Sequence, residues 1–389
     1  MIKVEHLINP KVKDIQFSGI RQFFNMVSEF EDVISLTIGQ PDFSTPEGVK
    51  EAAKLAIDED LTTYTHNAGL LSLREAAANF VKSKYSLNYN PVDEIIVTAG
   101  ASQAIDIAIR TIIENGSEVI LPGPAYPSYE ALIKLAGGVP VFVDTRETGF
   151  KLTAEQIKDH LTEKTRCIIL PYPSNPTGCT LTKQDLKEIV DVIKDTEVFV
   201  LSDEVYSELV FKGSHHSIAS FPEMRDKTIV VNGISKSHSM TGWRIGFVFA
   251  PAFITKYMLK VHQYSVACAS SVSQYAALEA LTKGINSALT MKHEYMKRMH
   301  YGLKRLRFLG FDVNEPTGAF YMFPSISRFN MTSLEFATKL VKEAGVAVVP
   351  GSAFSKYGEG YVRLSFAYSM ETLEEALNRI EQFINNLND

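Results

Sequence analysis

No run of about 18 consecutive apolar residues occurs in this chain, which excludes a membrane-spanning helix by the usual length argument. Residues 1–19 never build the continuous apolar core of a secretion signal. The expectation is a cytoplasmic protein with no membrane partner. Cysteine is scarce: Cys167, Cys179 and Cys268 lie far apart and form no C-x-x-C pair, so neither a disulfide framework nor a zinc site is suggested, and they read as buried thiols. His215 and His216 are adjacent but lack a third ligand at metal spacing; they read as a polar loop, and no metal is expected. Lys and Arg total 39 against 45 Asp and Glu, a formal net charge of −6, and no basic stripe of the kind that binds nucleic acid is present. Also missing are a linker rich in Gly, Ser or Pro, an internal repeat, a G-x-G-x-x-G fingerprint and a P-loop.

What the chain does have is length and apolar residues. With 389 residues, 45% of them hydrophobic, it can bury one large core and a smaller one, and two domains are the natural expectation. From residue 46 to 284 helical patterns alternate with short apolar runs: Glu94–Ala99, Glu118–Pro122, Arg166–Pro171, Glu197–Ser202, Thr228–Asn232 and Gly246–Pro251. Short continuous apolar runs between helix-length segments predict an α/β fold, with a mostly parallel sheet flanked by helices on both faces. Beyond Gly284 come a long amphipathic stretch, Ser287–Leu309, two strand-like pieces, Gly318–Pro324 and Tyr361–Ala367, and a final helix from Glu371. These predict a smaller α+β domain assembled from residues 1–45 and 285–389, packed tightly on the large domain of residues 46–284.

Chemistry-bearing residues collect where the large-domain strands end, the place where open α/β sheets bind ligands. After Thr228–Asn232 comes Ser235-Lys236-Ser237-His238-Ser239-Met240-Thr241-Gly242-Trp243-Arg244. A lone lysine is ordinarily a surface charge; one among small hydroxyl residues at a buried strand end, with a cation suited to phosphate at Arg244, is a candidate nucleophile. Asp203, at the end of another apolar run, either caps a helix or faces a ligand, and Tyr206 follows within a turn. Tyr172-Pro173-Ser174-Asn175-Pro176-Thr177-Gly178 is a turn by composition, and its prolines would also hold the Asn175 side chain in place. Thr98–Ala104 runs through small residues into a helix, so Ala101 and Ser102 can present free N–H groups to an anion. Tyr126 is either a half-buried loop tyrosine or a stacking partner for a planar ring. Arg363 lies within an apolar run and must be paired, by a substrate carboxylate or by a protein Asp or Glu. Arg21 either contacts an acidic substrate or faces solvent, and solvent is the expectation. Together these strand ends meet the requirements of one cofactor, pyridoxal 5'-phosphate: a phosphate cradle, a ring stack, a carboxylate for the pyridine nitrogen and a Schiff-base lysine.

On these motifs, in this order and spacing, the chain resembles the class I/II aminotransferases of pyridoxal phosphate fold type I over essentially its whole length. The resemblance implies Lys236 as the Schiff-base lysine, Asp203 on the pyridine nitrogen, and Asn175 and Tyr206 on the phenolic oxygen. It implies Tyr126 on the ring, Ala101, Ser102 and Arg244 at the phosphate, Arg363 on the substrate carboxylate, and the Gly39 backbone over the substrate. Tyr64 is similar to a family tyrosine that reaches the phosphate of the neighbouring subunit, which implies a homodimer with shared sites. Many relatives carry a serine three residues before the lysine; here Gly233 stands there, and Ser235 or Ser237 is the expected substitute. The implied reaction is a ping-pong transfer between an amino acid and a 2-oxo acid, with 2-oxoglutarate as acceptor and neutral Lys236 as base. The stretches His6–Phe23, Pro171–Gly178 and Asn232–Val248 are further similar to bacterial N-acetyl-LL-diaminopimelate aminotransferases, a group that shades into aromatic and aspartate aminotransferases. A β-lyase acting on cysteine conjugates would share the same cofactor contacts. A cofactor-sensing DNA-binding regulator is disfavoured, since no helix-turn-helix pattern is present.

Overall fold

The computed structural model describes residues 4–388. Its centre is a seven-stranded sheet. The strands, in chain order, are β1 (Ile95–Thr98), β2 (Glu118–Gly123), β3 (Val139–Asp144), β4 (Thr165–Leu170), β5 (Phe199–Asp203), β6 (Thr228–Gly233) and β7 (Gly246–Phe249). They lie side by side as β1-β7-β6-β5-β4-β2-β3, and β7 alone runs antiparallel to its neighbours.

Alternate residues of each strand supply opposite faces, and both faces are covered. Ile96, Leu121, Ile169, Leu201 and Val231 pack into a core with the Ala101–Ile112 helix, whereas Val97, Ile120, Ile168, Val200 and Val230 belong to cores on the other side. Burial on both sides is why the strands read as unbroken apolar runs and not as alternation. β3 went unforeseen in the sequence because it is an edge strand containing Pro140, with Val139 exposed. An edge tolerates proline, which has no N–H to give to a ladder.

A separate core joins the two ends of the chain. Phe23, Val27 and Leu36 pack with Tyr295, Leu303, Phe336, Leu377 and Phe383. The helices Ser287–Phe308 and Met370–Asn388 match the expected ones. Of the expected strand Gly318–Pro324 only Tyr321–Met322 enters a sheet, and Gly318 makes an isolated bridge to Val210, because Ala319 takes a left-handed backbone (φ 58°) that breaks the extended run. Tyr321–Met322 joins Val362–Ser365 and Val349–Pro350 in a three-stranded antiparallel sheet.

One smaller expectation needs correcting. Of the three cysteines, all free, only Cys167 is fully buried, while Cys179 and Cys268 are half-buried. His215 stands in a loop with a polar partner, as expected, but is more buried than a surface loop residue: its side chain is 7% exposed and its Nε2 lies 2.8 Å from Glu204 Oε2. Among the described residues no helix is long and apolar enough to cross a membrane.

The sheet converges on one edge. β1, β2, β4, β5 and β6 all end there, and because β7 is antiparallel it begins there, at Gly246, which pairs with Thr98 and Gly233. A Cβ at Gly246 would collide with the backbone of Gly100 and Ala101, so the glycine lets the Ala101–Ile112 helix start directly against the sheet. Gly246→Ala is therefore expected to destabilise the cofactor-free protein by about 1–3 kcal/mol, the usual range for overpacking a closed site. Urea unfolding of the variant and parent measures this, and equal midpoints contradict it.

Candidate active site

At that edge lies a cavity of about 630 Å³. Gly39, Ala101, Ser102, Tyr126, Asn175, Asp203, Tyr206, Ser235, Lys236, Arg244 and Arg363, expected in the site from sequence, all line it. Tyr64 does not; it stands 87% exposed on the surface of the chain.

Lys236 follows β6 and donates from Nζ to the Gly39 carbonyl at 2.7 Å. Burial, then the charges of Arg363 and Arg244, push its pKa down from 10.5 to about 8, with Asp203 opposing them. The amine is thus far more readily deprotonated than an ordinary lysine, and gains the neutral form that a nucleophile or base needs as pH approaches 8. Arg363 exerts more of this effect than Arg244.

Asp203 ends β5 and is buried. Its Oδ2 accepts from the Tyr129 hydroxyl at 2.6 Å and its Oδ1 from the Val205 N–H at 3.2 Å, so it both braces its own turn and faces the cavity. Burial raises its pKa, and the Tyr129 and Val205 donors and the Lys236 charge counter that rise. A cationic ring nitrogen against it would hold the carboxylate ionised. Tyr206 shares a 2.8 Å hydrogen bond with the Tyr321 hydroxyl, and burial keeps its phenol protonated.

Arg363 resolves the choice left by the sequence against a protein salt bridge. It is 2% exposed, and its partners are neutral: Asn175 Oδ1 accepts from Nη1 at 2.8 Å and the Thr37 carbonyl from Nη2 at 2.5 Å. The guanidinium carbon lies 4.4 Å from the Tyr321 ring centroid and 5.0 Å from that of Phe354. Among the described residues its Nε has no hydrogen-bond partner. A buried guanidinium without a counter-ion is a built receptor for a carboxylate.

At the other end of the cavity the Ala101–Ile112 helix begins with no side-chain cap, its N-cap being Gly100 (φ 81°). The Arg244 guanidinium lies over Gly100, where a Cβ would strike it, and Nη1 donates to the Thr241 carbonyl at 3.0 Å. Uncapped helix N–H groups beside a fixed arginine suit a phosphate. Ser235 is buried and lines the cavity. Ser237, the other expected substitute at Gly233, drops out: its hydroxyl pairs with His238 Nδ1 at 2.8 Å, away from the cavity. Tyr126 stands edge-on to Tyr129, with ring centroids 5.7 Å apart at 88°.

Sequence reasoning missed several of these groups. Tyr129 stands in the first turn of the helix Ser128–Ala136, just after the loop of Tyr126, and no pattern in the sequence sets it apart. Thr37 and Tyr321 were not detectable either, since a carbonyl and a tyrosine inside an apolar run carry no distinguishing pattern. Arg21, expected to face solvent, is exposed but also lines the cavity.

The family described as "Aminotransferase class I and II" matches residues 31–380. The chain belongs to the class I and II aminotransferases. It is 60% identical over 98% of its length to a Bacillus subtilis protein named "Probable N-acetyl-LL-diaminopimelate aminotransferase", covering 96% of that relative. An aspartate aminotransferase of Pyrococcus abyssi is 44% identical over 97% of this chain and 96% of its own. The solved aromatic aminotransferase of Pyrococcus horikoshii superposes with a TM-score of 0.89 at 44% identity, covering 94% of this chain and 99% of that one. As a fold type I aminotransferase this is a pyridoxal phosphate enzyme, and the cavity fits that cofactor. It offers a phosphate seat at Ala101, Ser102 and Arg244, a carboxylate at Asp203 and an amine of lowered pKa at Lys236.

The Lys236 amine gives a pH signature. In the cofactor-free enzyme it is expected to become nucleophilic as pH rises through about 8, against 10.5 for an ordinary lysine. Modification by a limiting amine reagent, quantified on the Lys236 peptide, should show a midpoint near the lower value. A midpoint at the ordinary value contradicts the assignment of its environment.

Proposed function

We propose that this aminotransferase moves the amino group of N-acetyl-LL-diaminopimelate to 2-oxoglutarate, as a cytoplasmic homodimer in lysine biosynthesis. The observation that carries this reading is the 60% identity, over 98% of the chain, to the Bacillus subtilis relative of that name. Aspartate and aromatic aminotransferases among the relatives, at 44% identity, are the alternative donors to test.

Bound pyridoxal phosphate supplies a conjugated cationic ring that draws in the electron pair of the substrate's broken Cα–H bond. The chain's residues do the rest. Lys236 would hold the cofactor covalently, and its Nζ, when free and neutral, would take the substrate's α-proton. Asp203 would keep the ring nitrogen protonated. Asn175 and Tyr206 would hold the phenolic oxygen, and Tyr126 would lie against the ring. Ala101, Ser102, Ser235 and Arg244 would hold the phosphate. Arg363 binds the substrate α-carboxylate, and the Gly39 backbone lies over the substrate. The 87% exposure of Tyr64 supports a role across a subunit boundary, at the partner's phosphate. The core shared by Phe23, Leu36 and Phe383 supports a small domain of residues 1–45 and 285–389 beside a large domain of residues 46–284.

The test is a screen of donors with the holoenzyme: N-acetyl-LL-diaminopimelate, aspartate, tyrosine and a cysteine conjugate, each with and without 2-oxoglutarate. Highest kcat/KM with N-acetyl-LL-diaminopimelate, dependent on 2-oxoglutarate, is expected. Preference for aspartate or tyrosine overturns the substrate. Pyruvate released from the cysteine conjugate without an oxo acid, as the main activity, turns the reading to a β-lyase.

A further inference from the structure

Tyr321 lines the cavity, yet the reaction proposed above gives it nothing to do. Its ring is firmly held. It is 1% exposed, the Arg363 guanidinium lies over it, the Phe320 ring centroid is 4.8 Å away, and its backbone pairs with Ser365 in the small antiparallel sheet. The hydroxyl stands against Gly39, where a Cβ would strike it. Among the described residues that hydroxyl has one hydrogen-bond partner, the Tyr206 hydroxyl at 2.8 Å. The bond crosses from the small sheet to the end of β5 in the large one, and it is buried on both sides.

Either phenol can be the donor in this pair. A phenol has a single proton to give. If Tyr206 gives its proton to the cofactor's phenolic oxygen, its own oxygen is free only to accept, and the shared bond must run from Tyr321 to Tyr206. A hydroxyl that accepts a hydrogen bond in turn donates more strongly, by about 10–30% per bond in a chain of this kind.

We infer that Tyr321 is a positioning residue for Tyr206: its hydroxyl donates to the Tyr206 oxygen and so commits the Tyr206 proton to the cofactor's phenolic oxygen. The inference rests on the reading of Tyr206 as a partner of that oxygen. Donors drawing on the phenolic oxygen weaken its hold on the proton shared with the neighbouring nitrogen of the Lys236 linkage, so loss of a donor raises the pH at which that proton leaves.

The experiment is a pH titration of the visible absorbance of the holoenzyme, which follows loss of that proton, in the parent, Tyr321→Phe, Tyr206→Phe and the double variant. Phenylalanine keeps the ring beneath Arg363 and removes only the oxygen. The midpoint is expected to rise by about 0.3–0.6 pH unit in Tyr321→Phe and by more in Tyr206→Phe. Adding Tyr321→Phe to Tyr206→Phe should change nothing further, because the effect of Tyr321 passes through the Tyr206 oxygen. A merely structural role would shift both backgrounds alike. An unchanged midpoint in Tyr321→Phe, or the same further rise in the double variant, overturns the inference. No rise in Tyr206→Phe itself is a separate result, which overturns the reading of Tyr206 and the inference with it.

Discussion

Arg363 is buried between two aromatic rings with no carboxylate among the described residues to neutralise it, and it fastens three parts of the chain at once. Its strand belongs to the small antiparallel sheet, Thr37 to the amino-terminal segment, and Asn175 to the turn after β4 of the large sheet. A charge so placed is costly unless something satisfies it, and two neutral acceptors and two rings do so only in part. Burial and, after it, the same field lower the pKa of Lys236. Stored positive potential therefore prepares the cavity for an anionic ligand and keeps its central amine reactive.

The remaining geometry follows from the polarity of the sheet. Ligands bind beyond the carboxyl ends of parallel strands because loops and helix N-termini converge there. One reversed strand adds a feature that a wholly parallel sheet lacks: β7 starts at this edge, so Arg244, two residues before it, reaches the same seat as the Ala101 helix. Small residues at Gly100 and Gly246 let the arginine, the helix start and the strand meet in close contact.

Much of this was legible in the sequence. Strand ends are readable because a buried parallel strand is an unbroken apolar run, and a polar or small residue just after it stands out. That contrast led to Lys236, Asp203, Asn175 and Ala101. Illegible were partners that reach across from distant parts of the chain, since Tyr321 looks like any core aromatic and Thr37 contributes only a carbonyl. The left-handed turn at Ala319, which shortens a strand that reads as continuous, accompanies the bridge of Gly318 to Val210 and the hydrogen bond of the Ala319 N–H to the Leu209 carbonyl, and does not follow from its own residue type. The fate of His215, drawn into a buried contact with Glu204, likewise depends on tertiary packing that a histidine pair does not announce.

Everything here turns on one covalent attachment. Borohydride reduction of the holoenzyme followed by peptide mapping tests it directly: the account predicts a phosphopyridoxyl group on Lys236 and on no other lysine. A label on a different lysine, or none after saturation with pyridoxal phosphate, would contradict it.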